Sequence, residues 1–304
     1  ADRTSLILDI FSEHARSREA KLQVETAELE YMLPRLAGLR TKLGRQGGTS
    51  GAMSNKGAGE KKIELDRRVI EHRMAELRRE LDAVDRERAT QRKKRMLSGI
   101  PRIALVGYTN AGKSTIMNTM LSLYGTDDDK KVLEKDMLFA TFDTSVRKII
   151  PDTGKPFLLS DTVGFIEGLP ATLVKAFRST LEEVKYADLI LHVIDISDAD
   201  YREHMKVTES TLAAIGAGQV ECICVYNKCD RISQITGSCT AFSGTDIRIT
   251  AKSPDDIRRL TEFIGEIFDK KKTECEMLIP YKEGNILSDL KVSSDYEIIG
   301  YTAG

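Results

Sequence analysis

The chain has 304 residues, of which 41% are hydrophobic and 31% are charged, and this composition predicts a globular protein with room for more than one domain. No apolar run is long enough to span a bilayer, and the first residues lack the apolar core of a secretion signal. The five cysteines form no CxxC pair, so we expect reduced thiols and a location in the cytoplasm or an organellar matrix.

The net charge of −1 hides two parts of opposite sign. Residues 1–100 carry 22 lysines and arginines against 16 acidic residues, whereas the remainder carries 24 against 31. A basic first part and an acidic second part indicate domains with different partners. We therefore divide the chain into a helical part at 1–99, a central domain at 100–272 and a short αβ segment at 273–304.

The sequence of the first part, 1–99, predicts two helices joined by a glycine-rich loop. Apolar residues at helical spacing predict a helix over 12–40, in which Pro34 is either a kink or a boundary. A second helix is predicted over 62–97, where apolar residues recur every seven positions as in a coiled coil. We expect the two helices to form an antiparallel hairpin. The predicted seam of the second helix is Ile63, Ile70, Met74, Leu77, Leu81 and Val84.

The loop of this hairpin is strongly basic. Between Pro34 and Lys62 the lysines and arginines stand against the single acid Glu60, and a further basic cluster closes the second helix at 86–95. Such charge is typical of a solvated helix face, but a basic loop and a basic helix end in one element also fit a phosphate-rich partner. Few aromatic residues lie nearby, so folded RNA recognised by shape fits better than stacked bases.

A phosphate-binding loop follows at 107–115. It stands between an apolar strand pattern at 103–106 and an amphipathic helix pattern that begins at Ile116, which is the context that such loops require. The glycines let backbone N–H groups point at phosphate oxygens, Lys113 adds positive charge, and the Ser114 hydroxyl is a ligand for Mg²⁺. The predicted phosphate-binding residues are Gly107, Tyr108, Thr109, Asn110, Ala111, Gly112, Lys113, Ser114 and Thr115.

A second nucleotide motif follows the strand predicted over 157–161. An acid at the carboxyl end of a strand, followed by a glycine that approaches phosphate closely, is typical of the sensor for Mg²⁺ and the γ-phosphate. The predicted sensor residues are Asp161, Thr162, Val163 and Gly164.

A third motif, Asn227-Lys228-Cys229-Asp230, follows a strand predicted over 221–226. The Asp230 carboxylate is able to accept both the ring N–H and the exocyclic amine of guanine, whereas adenine offers no such pair. A loop that supports the base is predicted after the last strand. Its residues are Thr250, Ala251 and Lys252. The order of the three motifs predicts a guanosine nucleotide, GTP or GDP.

Strand and helix patterns alternate between 102 and 270, which predicts the α/β fold of a P-loop NTPase, a parallel sheet with helices on both faces. The helical hairpin precedes this domain. The predicted strands are 103–106, 157–161, 188–195, 221–226 and 246–250, and 139–150 is predicted to be a switch segment followed by a strand. The helices predicted after the loop helix are 173–186, 203–215 and 253–270.

These motifs, together with the helical part, resemble the HflX family of translation-factor-related GTPases. The segments that carry the resemblance are 2–11, 19–25, 33–36, 45–48, 59–60, 64–68, 107–115 and 161–166. The resemblance implies GTP hydrolysis with Mg²⁺, and binding of the hairpin loop to the large ribosomal subunit and its RNA, where some members split or rescue ribosomes. We expect a monomer, a form that lacks the first amino-terminal subdomain of the family, and a truncated carboxy-terminal segment.

The sequence departs from the family in its first switch, where Asp-Pro-Thr-Thr-Arg is replaced by residues 143–147. Ser145 keeps a hydroxyl there, and the resemblance implies that it closes on Mg²⁺ together with Ser114 and Asp161. The hairpin sequence Gly-Pro-Gly-Glu-Thr-Gln is likewise replaced at 57–62, which adds positive charge.

Catalysis is expected to be slow without a partner, because Phe165 stands where many GTPases carry the glutamine that orients water. The expected catalytic residues are Lys113, Ser145 and Gly164. Asn110 is similar to the asparagine that binds K⁺ in related GTPases, or it only caps the loop, and both interpretations stay open.

Three other functions stay open as well. The chain is alternatively a nucleotide-gated ribosome-binding module that acts in ribosome assembly, a tRNA-modifying GTPase, or a docking protein with a degenerate nucleotide site. The absence of a recognisable modification-cofactor site argues against the second. Intact Lys113, Asp161 and Asp230 argue against the third.

Overall fold

The computed structural model describes residues 2–45, 56–125, 145–152, 155–166, 183–232, 242–243, 246–271, 276–283, 285–286 and 297–300. Its helices are α1 (Arg3–His14), α2 (Arg18–Arg45), α3 (Lys56–Leu97), α4 (Lys113–Tyr124), α5 (Tyr201–Ala214) and α6 (Pro254–Lys270). Its strands are β1 (Arg102–Val106), β2 (Ser145–Ile149), β3 (Phe157–Asp161), β4 (Leu189–Asp195), β5 (Cys222–Asn227), β6 (Phe242–Ser243) and β7 (Asp246–Arg248). Two 3₁₀ turns lie at Cys229–Arg231 and Tyr281–Glu283.

Helices α2 and α3 form the predicted antiparallel hairpin. Arg73 of α3 forms an ion pair with Glu25 of α2 at 2.7 Å, and Arg18 of α2 forms one with Glu80 of α3 at 3.1 Å. The two helices therefore run in opposite directions. Leu77 of the predicted seam is fully buried. The other seam residues are buried or half-buried, namely Ile63, Ile70, Met74, Leu81 and Val84. The seven-residue spacing therefore identified the face of α3 that packs on α2.

The entry into the hairpin differs from the prediction of one helix over 12–40. The chain breaks between α1 and α2 because the Ser17 hydroxyl accepts the N–H of Ala20 at 3.0 Å and so caps α2, and because Ala15 is extended. Helix α2 then continues through Pro34, which is therefore not a boundary.

Helix α3 begins at Lys56 rather than at 62, so the stretch around Gly57 and Gly59 is helical. The remainder of the predicted loop, 46–55, lies outside the described residues.

The sheet of the described residues has seven strands in the order β2-β3-β1-β4-β5-β7-β6. The five central strands, β3, β1, β4, β5 and β7, are parallel as predicted. The two edge strands, β2 and β6, are antiparallel to their neighbours. The links from β2 to β3 and from β6 to β7 are short, and a parallel pair requires a crossover of roughly a dozen residues or more. The α/β fold class is confirmed, with antiparallel strands at both edges.

Apolar side chains alternate between the two faces of the sheet. Ile103 and Leu105 of β1 lie in the core shared with α4 and α6, whereas Ala104 and Val106 lie in the core shared with α5. This alternation confirms helices on both faces and explains why the strands read as continuous apolar runs. Of the helix predicted over 173–186, residues 167–182 lie outside the described residues, and 183–185 are helical.

The segment after α6 is only partly described, at 276–283, 285–286 and 297–300. Across the described helices, none combines the length and the apolar character needed to cross a bilayer.

Candidate functional site

The phosphate loop connects β1 to α4 and lies directly on the sheet. Gly107 has φ of 148°, and a Cβ on it would lie 2.2 Å from the carbonyl oxygen of Val193. Gly112 has φ of 100° at the N-cap of α4, where a Cβ would lie 2.1 Å from Nδ2 of Asn227. Both glycines are therefore required by close approach as well as by their backbone conformation.

Lys113 is the buried cation of this loop, with 5% of its surface exposed. Its Nζ donates hydrogen bonds to the carbonyl oxygens of Gly107 at 3.0 Å and Tyr108 at 2.9 Å. Burial lowers the pKa of Lys113 to about 8, and the charge of Asp161 acts in the opposite direction. A bound anion would favour the charged ammonium, so the site is suited to phosphate.

Ser114 and Asp161 meet beside this lysine, at the carboxyl end of β3. The Ser114 hydroxyl donates a hydrogen bond of 2.8 Å to Oδ2 of Asp161, and Asp161 is fully buried. A hydroxyl and a carboxylate at this distance, at the start of α4, fit Mg²⁺, which prefers hard oxygen ligands. The two residues that were predicted to hold the metal are thus adjacent.

Ser145, the third predicted metal ligand, is the first residue of β2 and pairs with Asp161 in the sheet. Its hydroxyl lies 3.7 Å from Sδ of Met117 on α4. The structure therefore brings Ser145 next to Asp161 in the backbone, with its hydroxyl on Met117. The preceding segment, 126–144, lies outside the described residues, and the role of Ser145 stays a prediction.

The four sensor residues point in different directions. Gly164 abuts the phosphate loop, because a Cβ on it would lie 2.8 Å from Cα of Thr109. The Thr162 hydroxyl instead donates to the carbonyl oxygen of Leu105 at 2.7 Å and fastens β3 to β1. Val163 packs into an apolar cluster formed by α1 and α2. Of the three side chains in this segment, that of Asp161 alone faces the phosphate loop, where it accepts the Ser114 hydroxyl.

Phe165 is joined to the phosphate loop by its backbone. Its N–H donates to Gly107 at 3.1 Å, and its carbonyl accepts the N–H of Thr109 at 2.9 Å. The ring is buried in the core that contains Leu212 of α5. Phe165 therefore offers no side-chain group for orienting water, as predicted. Its ring instead packs in the hydrophobic core on one face of the sheet.

Asn227, the first residue of the third motif, connects the phosphate loop to the predicted base-supporting loop. Its Nδ2 donates to the carbonyl oxygen of Ala111 at 2.8 Å, and its Oδ1 accepts the N–H of Ala251 at 2.9 Å. The loop around Ala251 is fixed further, because the carboxylate of Asp256 accepts the N–H of Thr250 at 2.8 Å. One buried amide thus holds the phosphate loop and the predicted base-supporting loop together.

Of the residues predicted at the base, Asn227 and Ala251 are buried, whereas two others are accessible. Asp230 and Lys252 are exposed, and Asp230 lies on the 3₁₀ turn that follows Lys228. Asn110 is also exposed, with a left-handed φ of 61°. Thr115 lies in the first turn of α4 and is half-buried.

The sequence analysis missed three residues that contact the predicted site. Asp195 binds Lys228 at 2.7 Å, and the ring of His204 on α5 stacks on Tyr108 with centroids 3.7 Å apart. The buried imidazole of His192 lies below the loop, where burial and the charge of Lys113 lower its pKa to about 4. Two polar residues in the otherwise apolar strand β4, His192 and the terminal Asp195, were the signal visible in the sequence.

Two family models match the chain. The model described as GTP-binding GTPase Middle Region matches residues 14–95, and the one described as 50S ribosome-binding GTPase matches residues 102–228. Their boundary falls at the linker between α3 and β1.

Curated relatives and solved structures match most of the chain. The GTPase HflX of Caldanaerobacter subterraneus is 45% identical over 95% of this chain and 64% of the relative. The crystal structure of SsGBP in complex with GDP superposes with a TM-score of 0.51 at 26% identity, over 88% of this chain and 73% of that chain. The chain spans less than two thirds of the length of several curated relatives, at 64%, 65% and 66%.

The chain covers about two thirds of the length of another relative. The GTPase HflX of Akkermansia muciniphila is 41% identical over 94% of this chain and 67% of the relative. The motifs at 107–115, 161–164 and 227–230 all lie within the domain whose geometry is described above. Similarity of this extent, on this fold, shows that the chain belongs to the HflX family of GTPases.

Proposed function

We propose that the chain binds GTP and hydrolyses it to GDP and phosphate. The observation that carries this proposal is the pair of hydrogen bonds made by Asn227, which join the phosphate loop at Ala111 to the loop at Ala251. A nucleotide contacts both ends of such a site, with its phosphates at Lys113 and its base at Asp230. Membership of a GTPase family supports the same conclusion.

The phosphates are proposed to bind at the N-terminus of α4. There the N–H groups of the loop, the helix dipole and the buried ammonium of Lys113 favour negative charge. Ser114 and Asp161 would hold Mg²⁺, which supplies neutralising charge to the phosphate oxygens when it is bound. Lys113 and the backbone N–H of Gly164 stabilise the charge that develops on the transferred phosphoryl group.

Ser145 is proposed as a third ligand, and this part of the proposal has its own test. Ser145→Ala should raise the Mg²⁺ concentration needed for hydrolysis if the hydroxyl leaves Met117 for the metal. Unchanged Mg²⁺ dependence would instead direct attention to the hydroxyl-bearing residues Thr141 and Thr144.

The nucleotide proposal is tested by calorimetry with GTP, GDP, ATP and ADP. Guanosine nucleotides should bind with a clear preference, and Asp230→Ala should abolish that preference, because the carboxylate reads the two N–H groups of guanine. Asp255→Ala, which removes an exposed acid of α6, is the matched control. Equal affinity for guanine and adenine nucleotides in the unaltered protein would contradict the proposal.

We infer that the macromolecular partner is the large ribosomal subunit, bound through RNA at the basic loop of the hairpin. The family description for residues 102–228, which names ribosome binding, supports this partner. The excess of lysine and arginine between 34 and 62 also supports it, because clustered positive charge is what RNA phosphates require. Splitting or rescue of ribosomes by a monomer in the cytoplasm is the specific role that we propose.

A direct apolar contact between the sensor and the helices supports control by the nucleotide. Val163 is 6% exposed and lies in a cluster with Phe11 of α1 and Val24 of α2, while Ile166 packs against the same cluster. A change in the backbone conformation of 161–164 would therefore shift α1 and α2, because packed apolar side chains do not move independently.

Co-sedimentation with ribosomal subunits tests this coupling. Binding should be stronger with a non-hydrolysable GTP analogue than with GDP or no nucleotide. Equal binding in all three states would leave the GTPase intact and remove the link to the hairpin.

A nucleotide-gated binding module is the second candidate. The buried apolar ring of Phe165 favours it, because this side chain cannot orient water, and we therefore expect slow hydrolysis without a partner. Subunit dissociation with the non-hydrolysable analogue distinguishes the two. A module still dissociates the subunits, whereas an enzyme that needs each turnover does not.

The role of Asn110 is tested in the same assays. Faster hydrolysis in K⁺ than in Na⁺ buffer, lost in Asn110→Ala, would indicate a K⁺ site. Equal rates would leave Asn110 as a cap of the loop.

A further inference from the structure

Lys228, the second residue of the guanine motif, has an unusual backbone. Its φ of 63° and ψ of 34° are left-handed, and among the described residues Asn110 is the other non-glycine residue with positive φ. A lysine rarely adopts this conformation, which persists when neighbouring contacts enforce it. The contacts of its side chain therefore matter for the backbone that follows.

Asp195 provides the contact that fixes the Lys228 side chain. Its Oδ2 lies 2.7 Å from Nζ of Lys228, and both side chains are largely buried, at 18% and 12% exposure. The other carboxylate oxygen accepts the N–H of Ser197 at 3.0 Å and its hydroxyl at 2.5 Å. Because both oxygens are engaged, the carboxylate has one orientation, and its negative charge keeps the ammonium of Lys228 beside it.

The sheet brings these two residues together, although they are far apart in the sequence. Asp195 ends β4 and pairs in register with Asn227, the last residue of β5. Asn227 is itself fixed by Ala111 and Ala251. The motif is thus fastened on one side by the amide of Asn227 and on the other side by Asp195.

The backbone of Lys228 also sets the direction of the residue that reads the base. Its carbonyl oxygen accepts the N–H of Arg231 at 3.0 Å and so closes the 3₁₀ turn at Cys229–Arg231. Asp230 lies in this turn and is exposed. If Lys228 relaxed from its left-handed conformation, the turn would rotate, and the Asp230 carboxylate would lose its alignment with the guanine edge.

We propose that Asp195 is a positioning residue for guanine recognition, which acts by holding Lys228 and thereby aims Asp230. The proposal deepens the GTP-binding function proposed above and rests on it. Asp195 acts here on selectivity for the base, and the phosphate contacts at Lys113 and Ser114 do not depend on it.

The test is calorimetry with GDP, IDP and ADP on the unaltered protein and on Asp195→Asn. IDP lacks the exocyclic amine, so the ratio of GDP to IDP affinity reports the alignment of Asp230. We expect Asp195→Asn to reduce this ratio about tenfold, as relaxation of one strained residue would do. GDP should lose the most affinity, IDP, which keeps the ring N–H, should lose less, and ADP should bind as before. Asp198→Asn is the matched control, since Asp198 lies on the turn that follows Asp195, where its carboxylate is 3.7 Å from His204 of α5.

The outcomes separate the two proposals. An unaltered protein that binds the three nucleotides alike would overturn the GTP-binding function itself. A selective protein whose Asp195→Asn variant keeps its ratio, or loses affinity for all three nucleotides equally, would overturn the role of Asp195 alone. If Asp195→Asn does not fold, Ser197→Ala decides. It removes the hydroxyl contact to Oδ1 of Asp195 and leaves the backbone N–H contact, so the ratio should fall by less, and a ratio unchanged from that of the unaltered protein would overturn the proposal.

Discussion

The hairpin and the nucleotide-binding domain are held together by different forces. The domain buries apolar side chains on both faces of its sheet, and a buried amide at Asn227 joins its functional loops. The hairpin has a narrow seam around Met74 and Leu77, bordered by exposed ion pairs such as Arg18–Glu80. Exposed ion pairs contribute about 0 to 1 kcal/mol each, so the hairpin depends on few contacts.

This difference suggests how the work is divided. A domain fixed from both faces would hold the groups of the proposed nucleotide at constant distances, which recognition and catalysis require. A two-helix element with a narrow core reorients at small free-energy cost, which suits the part that is proposed to meet RNA. The cluster around Val163 is where the two regions touch. Substitutions in each region test this contrast between the hairpin and the domain.

The largest effect is expected in the seam of the hairpin. Leu77→Ala should lower the stability of α3 by about 2 to 5 kcal/mol, because a fully buried side chain is removed from a core with few others. Hydrogen exchange of α3 amides measures this loss. Glu80→Ala, which removes an exposed ion pair, should change stability by less than about 1 kcal/mol. Equal effects of the two variants would contradict the contrast.

Lys113→Ala should weaken GTP binding by roughly a hundredfold or more, because the buried ammonium is the charge that neutralises the terminal phosphates. Calorimetry measures the loss. RNA binding by the hairpin in the absence of nucleotide should remain, and Lys252→Ala, at an exposed position, should bind the phosphates nearly as well as the unaltered protein. A similar loss of GTP affinity in both variants would contradict the role of Lys113 as the charge that neutralises the terminal phosphates.

Val163→Ala should separate the two regions. Truncation of this buried side chain should cost about 1 to 2 kcal/mol of stability, leave GTP affinity nearly unchanged, and remove the nucleotide dependence of ribosome co-sedimentation. Leu8→Ala, in the same cluster on α1, is the control for stability alone. If Val163→Ala keeps its nucleotide dependence, the coupling does not pass through this contact.

The smallest effect concerns pH. The pKa of Lys113 is lowered to about 8 by burial, and bound phosphates favour the ammonium, so binding takes up a proton above pH 8. GDP affinity should therefore fall as pH rises from 8 to 9, by at most about tenfold. The nucleotide-free protein should instead gain stability over this interval, because its unfolded chain binds more protons.

Lys113→Ala controls for the titration of the nucleotide itself. The variant keeps every other titrating group, so the pH dependence of its GDP affinity comes from the nucleotide and the remaining side chains. A slope identical to that of the unaltered protein would show that Lys113 does not contribute to the pH dependence.

Motifs and periodicity were reliable where the chemistry is local. The glycines at 107 and 112, the acid at 161 and the apolar spacing around Leu77 are constraints between near neighbours, and each lies where it was predicted to lie. Element bounds were less certain. The break before α2 depends on the hydroxyl of Ser17, and the passage of the helix through Pro34 has no visible cause in the sequence.

The sequence by itself determined the fold class, the family and the identity of the nucleotide motifs, because glycine loops, strand-end acids and seven-residue repeats express the local geometry that they require. Only the tertiary structure decided which distant side chains meet. Asp195 binds Lys228, His204 stacks on Tyr108, and Val163 enters the helical cluster. The order of strands and the docking of helices fix these contacts, and no local spacing encodes them.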